Sequence, residues 1–315
     1  MRVWLTGGTG FVGSNIVHAA VGAGHEVMTT VRSFVPDPAP CAIDRVDMTD
    51  RAAVAHSVRS FDPDLVVHCA ILNDHEQMHD DRTAAWDAYV EATRYTAEAA
   101  AASGAAFVVV STDWVFDGTS NRSTEDTPPN PVNLYGTLKM ASEIVALERD
   151  GAVARVSGVN GLHRARPGTP REQDQGFGYF VASLVDSLRA GQPFEVWESH
   201  DINMIATPSL ADECAEIILA IGARRETGIF HCCGADATTR LELAHLACDV
   251  FDLDPDLLRS ARPPVVPHGT DRIPFDTSLA TPRTDEVLDR SATPARTLLE
   301  RFRAQYPAPI VEADV

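Results

Sequence analysis

Lysine is almost missing from this chain. Lys139 is the single lysine among 315 residues; every other basic side chain is arginine. Lysine and arginine together number 26 against 45 acidic residues, a formal net charge of −19. So acidic a chain has no field to attract nucleic acid or an anionic membrane surface, which excludes both as partners. A phosphate-bearing ligand must instead be met by local arginines and backbone N–H groups. No apolar run approaches the roughly 18 residues a transmembrane helix needs. No charged segment followed by an apolar one opens the chain, so no secretory signal is expected and the expected location is the cytoplasm. Cysteine pairs at C-x-x-C or zinc spacing are also absent. Cys41, Cys69, Cys214, Cys232, Cys233 and Cys248 are expected as reduced, mostly buried thiols, and no metal site is expected.

What is present is alternation. Short β-rich runs (2–6, 26–31, 42–46, 65–69, 107–111, 153–156) are separated by helical stretches near 12–23, 50–60, 82–103 and 134–149. Strands alternating with helices predict βαβ units and a parallel sheet, an α/β doubly wound fold. The runs L-V-V and V-V-V are continuously apolar, as expected of strands covered by helices on both faces. After residue 158 the pattern changes. Residues 160–176 read as a Gly-, Pro- and Arg-rich loop, with a helix near 177–190 and a strand pair around 194–205. A helix at 209–222 and a strand at 228–232 are expected to rejoin the first domain, while 233–303 builds a smaller lobe and the V-E-A-D-V tail frays. The expected division is therefore 1–158, rejoined by about 206–232, and 159–315.

Residues 5–14, L-T-G-G-T-G-F-V-G-S, place Gly7, Gly10 and Gly13 directly after a strand and at the opening of a helix. Glycines here permit a tight turn, close approach of a pyrophosphate and tight helix–strand packing, and the helix start offers N–H donors. Gly7, Gly10, Phe11, Val12 and Gly13 are thus candidate cofactor-binding residues. The second strand ends V-M-T-T-V-R, with no carboxylate to hold ribose hydroxyls. Arg32 suits a 2′-phosphate instead, which favours NADP(H) over NAD(H). Asp47 and Met48 are placed to contact adenine, although Asp47 equally suits capping the next helix.

A strand ending S-T-D-W-V-F-D-G (111–118) and the segment L-Y-G-T-L-K carry the second set of features. Tyr135 and Lys139 are four apart and share one face of a helix. An ammonium beside a phenol stabilises phenolate, so Lys139 is expected to pull the Tyr135 pKa down from about 10 toward working pH. A hydroxyl from Thr112 or Ser111 can bond the same substrate oxygen. The bland alternative is a surface pair worth about 0.2–0.5 kcal/mol.

Taken in order, T-G-G-T-G-F-V-G, S-T-D-W-V-F-D-G, Y-G-T-L-K and P-S-L-A-D-E-C-A resemble an extended short-chain dehydrogenase/reductase, closest to the dTDP-4-dehydrorhamnose reductase branch. The resemblance runs to about residue 290. It implies a Rossmann domain with a smaller C-terminal substrate lobe, catalytic roles for Thr112, Tyr135 and Lys139, and a hold on the nicotinamide ribose by Lys139. It also implies a homodimer, through the alanine-rich helices near 82–103 and 134–149. Three departures stand out. The related 4,6-dehydratases carry an acid pair after the threonine, whereas here Asp113 is followed by Trp114. His68-Cys69-Ala70 replaces the usual N-A-A or N-A-G, with Cys69 and Ala70 falling beside the cofactor. Tyr89 stands where an asparagine is usual.

Weaker signals complete the reading. Arg164, Arg166 and Arg171 lie in a loop where such enzymes seat a nucleotide diphosphate, so with Asp113 and Trp114 the first two are candidate substrate residues. His68 reads as a structural histidine or a relay, and H-C-C at 231–233 as a core strand end. The resemblance implies NADPH-dependent reduction of the 4-keto group of a nucleotide-activated 6-deoxyhexose. Kept beside it are a non-catalytic regulatory subunit of the methionine adenosyltransferase β type, an NAD-retaining epimerase or dehydratase, and a reductase of a non-sugar ketone. Lys139→Arg is expected to fold normally and lose most activity, because arginine's planar fork does not replace a compact ammonium.

Overall fold

The computed structural model describes residues 1–306 except Asn73, 170–171, 265–271 and the side chain of His75. Arg171 and the V-E-A-D-V tail lie outside the described residues.

The apolar runs form one sheet of seven strands: β1 (Arg2–Thr6), β2 (Glu26–Val31), β3 (Ala42–Arg45), β4 (Leu65–His68), β5 (Ala106–Thr112), β6 (Ala152–Val156) and β7 (Gly228–Cys232). Their order is β7-β6-β5-β4-β1-β2-β3, and every pairing is parallel. Both faces are buried, which is why the strands carry no polar alternation. Val3, Leu5, Leu65, Val67, Val108, Val110, Ala152 and Ala154 meet α1 (Phe11–Gly22) on one face. Trp4, Val66, Phe107, Val109 and Val153 face the other way. There they meet α2 (Arg51–Phe61), α3 (Ala92–Ala102) and α4 (Leu134–Leu147). The chain leaves β1 toward β2 and β3, then returns to place β4 on β1's other side. That reversal opens a crevice at the carboxyl ends of β1 and β4, where open α/β sheets bind ligands.

The stretch expected as one helix at 82–103 is three pieces. A short helix, Arg82–Trp86, runs into a π-helical turn, Asp87–Glu91, before α3. The turn's extra residue leaves the Tyr89 carbonyl to accept from Thr93 Oγ1 at 2.6 Å and Ser142 Oγ at 3.1 Å.

Beyond β6 the chain builds a second core from α5 (Phe180–Arg189), α7 (Arg240–Phe251) and α8 (Ala295–Gln305). Between α5 and α7, α6 (Ala211–Ala223) returns to pack on the β1 face beside α1. The expected strand pair around 194–205 does not pair with itself. Phe194–Trp197 runs parallel to Leu258–Ala261, and Ile205–Ala206 pairs antiparallel with Thr238–Thr239. These partners lie far along the chain, so no local turn signal could indicate them. Among the described residues no helix is long and apolar enough to cross a membrane.

Candidate active site

The glycine turn leaves room for a ligand by excluding side chains. Gly7 has φ +71°, and a Cβ there would lie 2.8 Å from the Ala70 amide nitrogen; at Gly13 it would lie 2.2 Å from the Gly7 carbonyl oxygen. Gly10 caps α1 without a side-chain bond, and the first turn holds no acidic residue. Ser14 N–H is the first to close a helical bond, onto Gly10 O at 2.9 Å. The preceding amides of Phe11, Val12 and Gly13 therefore face the crevice as anion donors. A dinucleotide pyrophosphate fits this cradle on geometry and on charge.

At the end of β2, Arg32 is exposed and its charge reaches Asp47. Asp47 accepts from the Thr49 amide at 2.9 Å and the Thr49 hydroxyl at 2.7 Å, bonds that hold its carboxyl below the usual range. The helix cap is Asp50, which accepts from Ala52 and Ala53 N–H. Met48 Sδ accepts from Thr30 Oγ1 at 3.8 Å.

After β4, the Cys69 and Ala70 amides both donate to Thr6 Oγ1 at 3.0 Å, pressing Ala70 against Gly7. With those two bonds accepted, the Thr6 hydroxyl donates its own hydrogen to His68 Nδ1 at 2.9 Å. Burial, and next to it the charge of Lys139, holds His68 neutral with a pKa near 3. His68 is a structural histidine in this geometry. Burial pushes the Cys69 thiol up to about 12, and nearby Lys139 opposes that rise.

Thr112, Tyr135 and Lys139 converge across β5 and α4. Asn133 caps α4, accepting from Gly136 N–H at 2.8 Å, and so aims Tyr135 at the strand end. The Tyr135 phenol faces the Thr112 hydroxyl closely enough for that hydroxyl to draw its pKa down. Thr112 also donates to Asp113 Oδ1 at 3.1 Å. One turn along, Lys139 is buried and donates to the Val110 carbonyl oxygen at 2.5 Å. The expected lowering of the Tyr135 pKa is not what this arrangement gives. Burial raises it to about 12, Thr112 opposes the rise and Asp113 adds to it. Lys139 is itself brought down to about 8, by burial, with Cys69 and Glu143 holding it up. Desolvation dominates because protein packs closely around the phenol and the ammonium, which residue spacing does not reveal.

The model of the RmlD substrate binding domain family matches residues 1–307. This chain belongs to that family. Its type is that of the extended short-chain dehydrogenase/reductases, NAD(P)-dependent oxidoreductases with a Rossmann-like core. Methionine adenosyltransferase 2 subunit beta of Rattus norvegicus is 27% identical over 266 residues, 82% of this chain and 74% of that protein. The probable low-salt glycan biosynthesis reductase Agl14 of Haloferax volcanii is 29% identical over 264 residues, 83% of this chain and 84% of that protein. The crystal structure of a hypothetical dTDP-4-dehydrorhamnose reductase from Sulfolobus tokodaii is 25% identical. It superposes with a TM-score of 0.75, over 93% of this chain and 97% of that one.

Within this family member the substrate side is a cleft of about 1630 Å³. It runs from Phe11 and Val12 past Thr112, Trp114 and Tyr135 to Trp197, His200, Arg262, Arg272 and Phe275. Trp114 and Tyr89 stand edge-on to Tyr135, with ring centroids 6.1 and 6.2 Å away. Asp113 lines the cleft, yet its carboxylate is engaged: Ser157 Oγ and Thr277 Oγ1 donate to Oδ2 at 2.7 and 2.5 Å. Burial still lifts it to about 6. Arg164 and Arg166, expected beside the substrate, do not line this cleft. Arg164 donates to Gln305 Oε1 at 3.2 Å, and Arg166 lies over the Phe34 ring past β2. Their loop folds back over the start of α1, where His163 stacks on Phe11. Among the described residues, the arginines that line the cleft are Arg262 and Arg272.

Sequence reasoning also missed a buried ion pair. Arg155, fully buried in β6, binds Glu143 through two bonds of 2.9 and 2.7 Å. Ser111 Oγ donates to the same carboxylate at 2.5 Å, which turns Ser111 away from the cleft and leaves Thr112 as the site's hydroxyl. The signal was available: an arginine inside the apolar run V-A-R-V, and a glutamate four residues after Lys139 on the same helix face. Buried charges require partners. His231 stands beside this pair, 3.5 Å from Arg155, with Nδ1 2.7 Å from Ala280 O.

Proposed function

We propose that this protein is a nucleotide-sugar ketone reductase that uses NADPH to reduce the 4-keto group of a nucleotide-activated 6-deoxyhexose. The observation that carries the reading is the Thr112 hydroxyl facing the Tyr135 phenol in a cleft that begins at an anion-binding glycine turn, with buried Lys139 one helical turn on. When bound, reduced nicotinamide supplies the hydride for the carbonyl carbon. A phenol held near 12 is protonated throughout the physiological range and is a competent donor to a developing alkoxide. Tyr135 delivers that proton, the Thr112 hydroxyl holds the same oxygen, and the Lys139 charge stabilises the phenolate left behind. Arg32, and the lack of a carboxylate at residues 29–32, favour NADP(H); NAD(H) is the second choice.

Trp114, in place of a second acid, weighs against dehydration. The reductase names carried by the Haloferax and Sulfolobus relatives support a reductive role in glycan or deoxysugar chemistry. A second reading, a regulatory subunit, is favoured by the 27% identity to the rat methionine adenosyltransferase subunit. The test of the first is loss of NADPH absorbance with a panel of nucleotide keto-sugars and non-sugar ketones. Oxidation with a 4-keto-6-deoxyhexose nucleotide is expected. NADPH binding without turnover of any ketone, together with in-cell function that survives Tyr135→Phe, would leave the regulatory reading standing.

A further inference from the structure

The loop after β6 crosses the start of α1. Asn15 Nδ2 donates to the Leu162 carbonyl at 2.9 Å, His163 stacks on Phe11 with centroids 5.9 Å apart, and Tyr179 packs on the same Phe11 at 4.5 Å. Phe11 belongs to the anion-binding turn, so this loop follows the path a bound dinucleotide takes from pyrophosphate toward adenosine. Farther along it, the Arg166 guanidinium lies 4.6 Å above the centre of the Phe34 ring. Phe34 is 38% exposed and stands two residues past Arg32, in the turn leaving β2. In a doubly wound sheet that turn receives the adenosine ribose.

Two charges already stand at this turn, the exposed Arg32 and the Asp47 carboxylate it acts on. Arg45 Nη1 is directed to the Ser33 carbonyl at 3.4 Å. A phosphate dianion beside the Asp47 carboxylate is held better by two cations than by one. We infer that Arg166 is the second cation of an adenosine 2′-phosphate site, seated on Phe34, and that it sets the preference for NADP(H) over NAD(H). The inference rests on the NADP(H) reading of the β2 end. The aromatic seat fixes the guanidinium plane before the ligand arrives, which reduces the entropy lost in forming a bidentate phosphate contact.

The test is equilibrium binding of NADPH and NADH, by calorimetry, to the full-length protein and to Arg166→Gln, Arg166→Lys and Phe34→Ala. The unmodified protein should prefer NADPH. Arg166→Gln should cut the NADPH/NADH affinity ratio roughly 10- to 100-fold by weakening NADPH alone. Arg166→Lys should restore part of that ratio, and Phe34→Ala should lose part of it. A parallel comparison of 2′,5′-ADP with 5′-ADP should give the same ranking without the nicotinamide. An unmodified protein without preference for NADPH would overturn the cofactor reading itself. A normal preference that Arg166→Gln leaves intact, or equal weakening of both dinucleotides, would overturn the role of Arg166 while the cofactor reading stands.

Discussion

The two ends of the cleft are built in different ways. The cofactor end comes from contiguous residues. Seven positions, Gly7 to Gly13, make the anion cradle, and Tyr135 and Lys139 follow each other on one helix. The substrate end is gathered from distant segments and held by buried polar hubs. Asp113 takes bonds from Ser157 and Thr277, and Thr277 Oγ1 also accepts from Asn203 Nδ2 at 3.1 Å. Arg240, fully buried, donates to the carbonyls of Asn203, Asp174 and Gly176. The cofactor end needs local backbone geometry, and short motifs encode that. The substrate end needs closure between elements, and only the folded chain supplies it.

That contrast can be broken most sharply at Tyr135. Tyr135→Phe should lower turnover of the keto substrate by about 10²- to 10⁴-fold, the usual span for a lost proton donor, while NADPH affinity holds. Equal losses in both would mean that the phenol serves binding instead. Lys139 comes next. The lysine is enclosed, so Lys139→Arg should not fold as well as its sequence position suggests. Overpacking should cost about 1–3 kcal/mol in a urea titration. Lys139→Met, of similar length and uncharged, should keep more stability and still lose most activity. If the methionine variant turns over normally, the charge has no part in the reaction.

The ion pair under the site sharpens the comparison through stability. Glu143→Ala strands the Arg155 charge in the sheet and should cost about 3–5 kcal/mol, seen as a lower denaturation midpoint. The pH profile gives a milder effect. Lys139 acts in its charged form, which is populated below its pKa of about 8. Activity at saturating NADPH should therefore fall as pH rises through about 8, and a flat profile to pH 10 would remove the ammonium from the mechanism. The smallest effect belongs to the substrate end. Thr277→Val removes one of the bonds on Asp113 and should raise the KM for the keto substrate by roughly ten-fold at most, with NADPH binding unchanged.

Much of this was legible from residues alone. β1, β2 and β7 match their expected ranges, because a doubly covered strand must be apolar throughout and says so locally. Thr112 does face Tyr135, with Lys139 one helical turn on, since a strand end and a helix start are placed by the fold they advertise. The direction of the Tyr135 shift was not legible. It depends on how much water the assembled site excludes, a sum over α4, β5 and the π-turn at Tyr89. Nor was the place of Arg164 and Arg166, since a loop's composition does not state which wall it lies against.

The lone lysine shows where the division falls. By itself the sequence determined that a compact ammonium sits one helical turn from a tyrosine, because i and i+4 share a face in any α-helix. Only the tertiary structure decided what that ammonium does before reaction. It is buried against the Val110 carbonyl, near Glu143 and the Cys69 thiol, with its pKa lowered to about 8 by desolvation. Spacing along a helix is a local property, whereas burial and charge partners depend on every element packed around it.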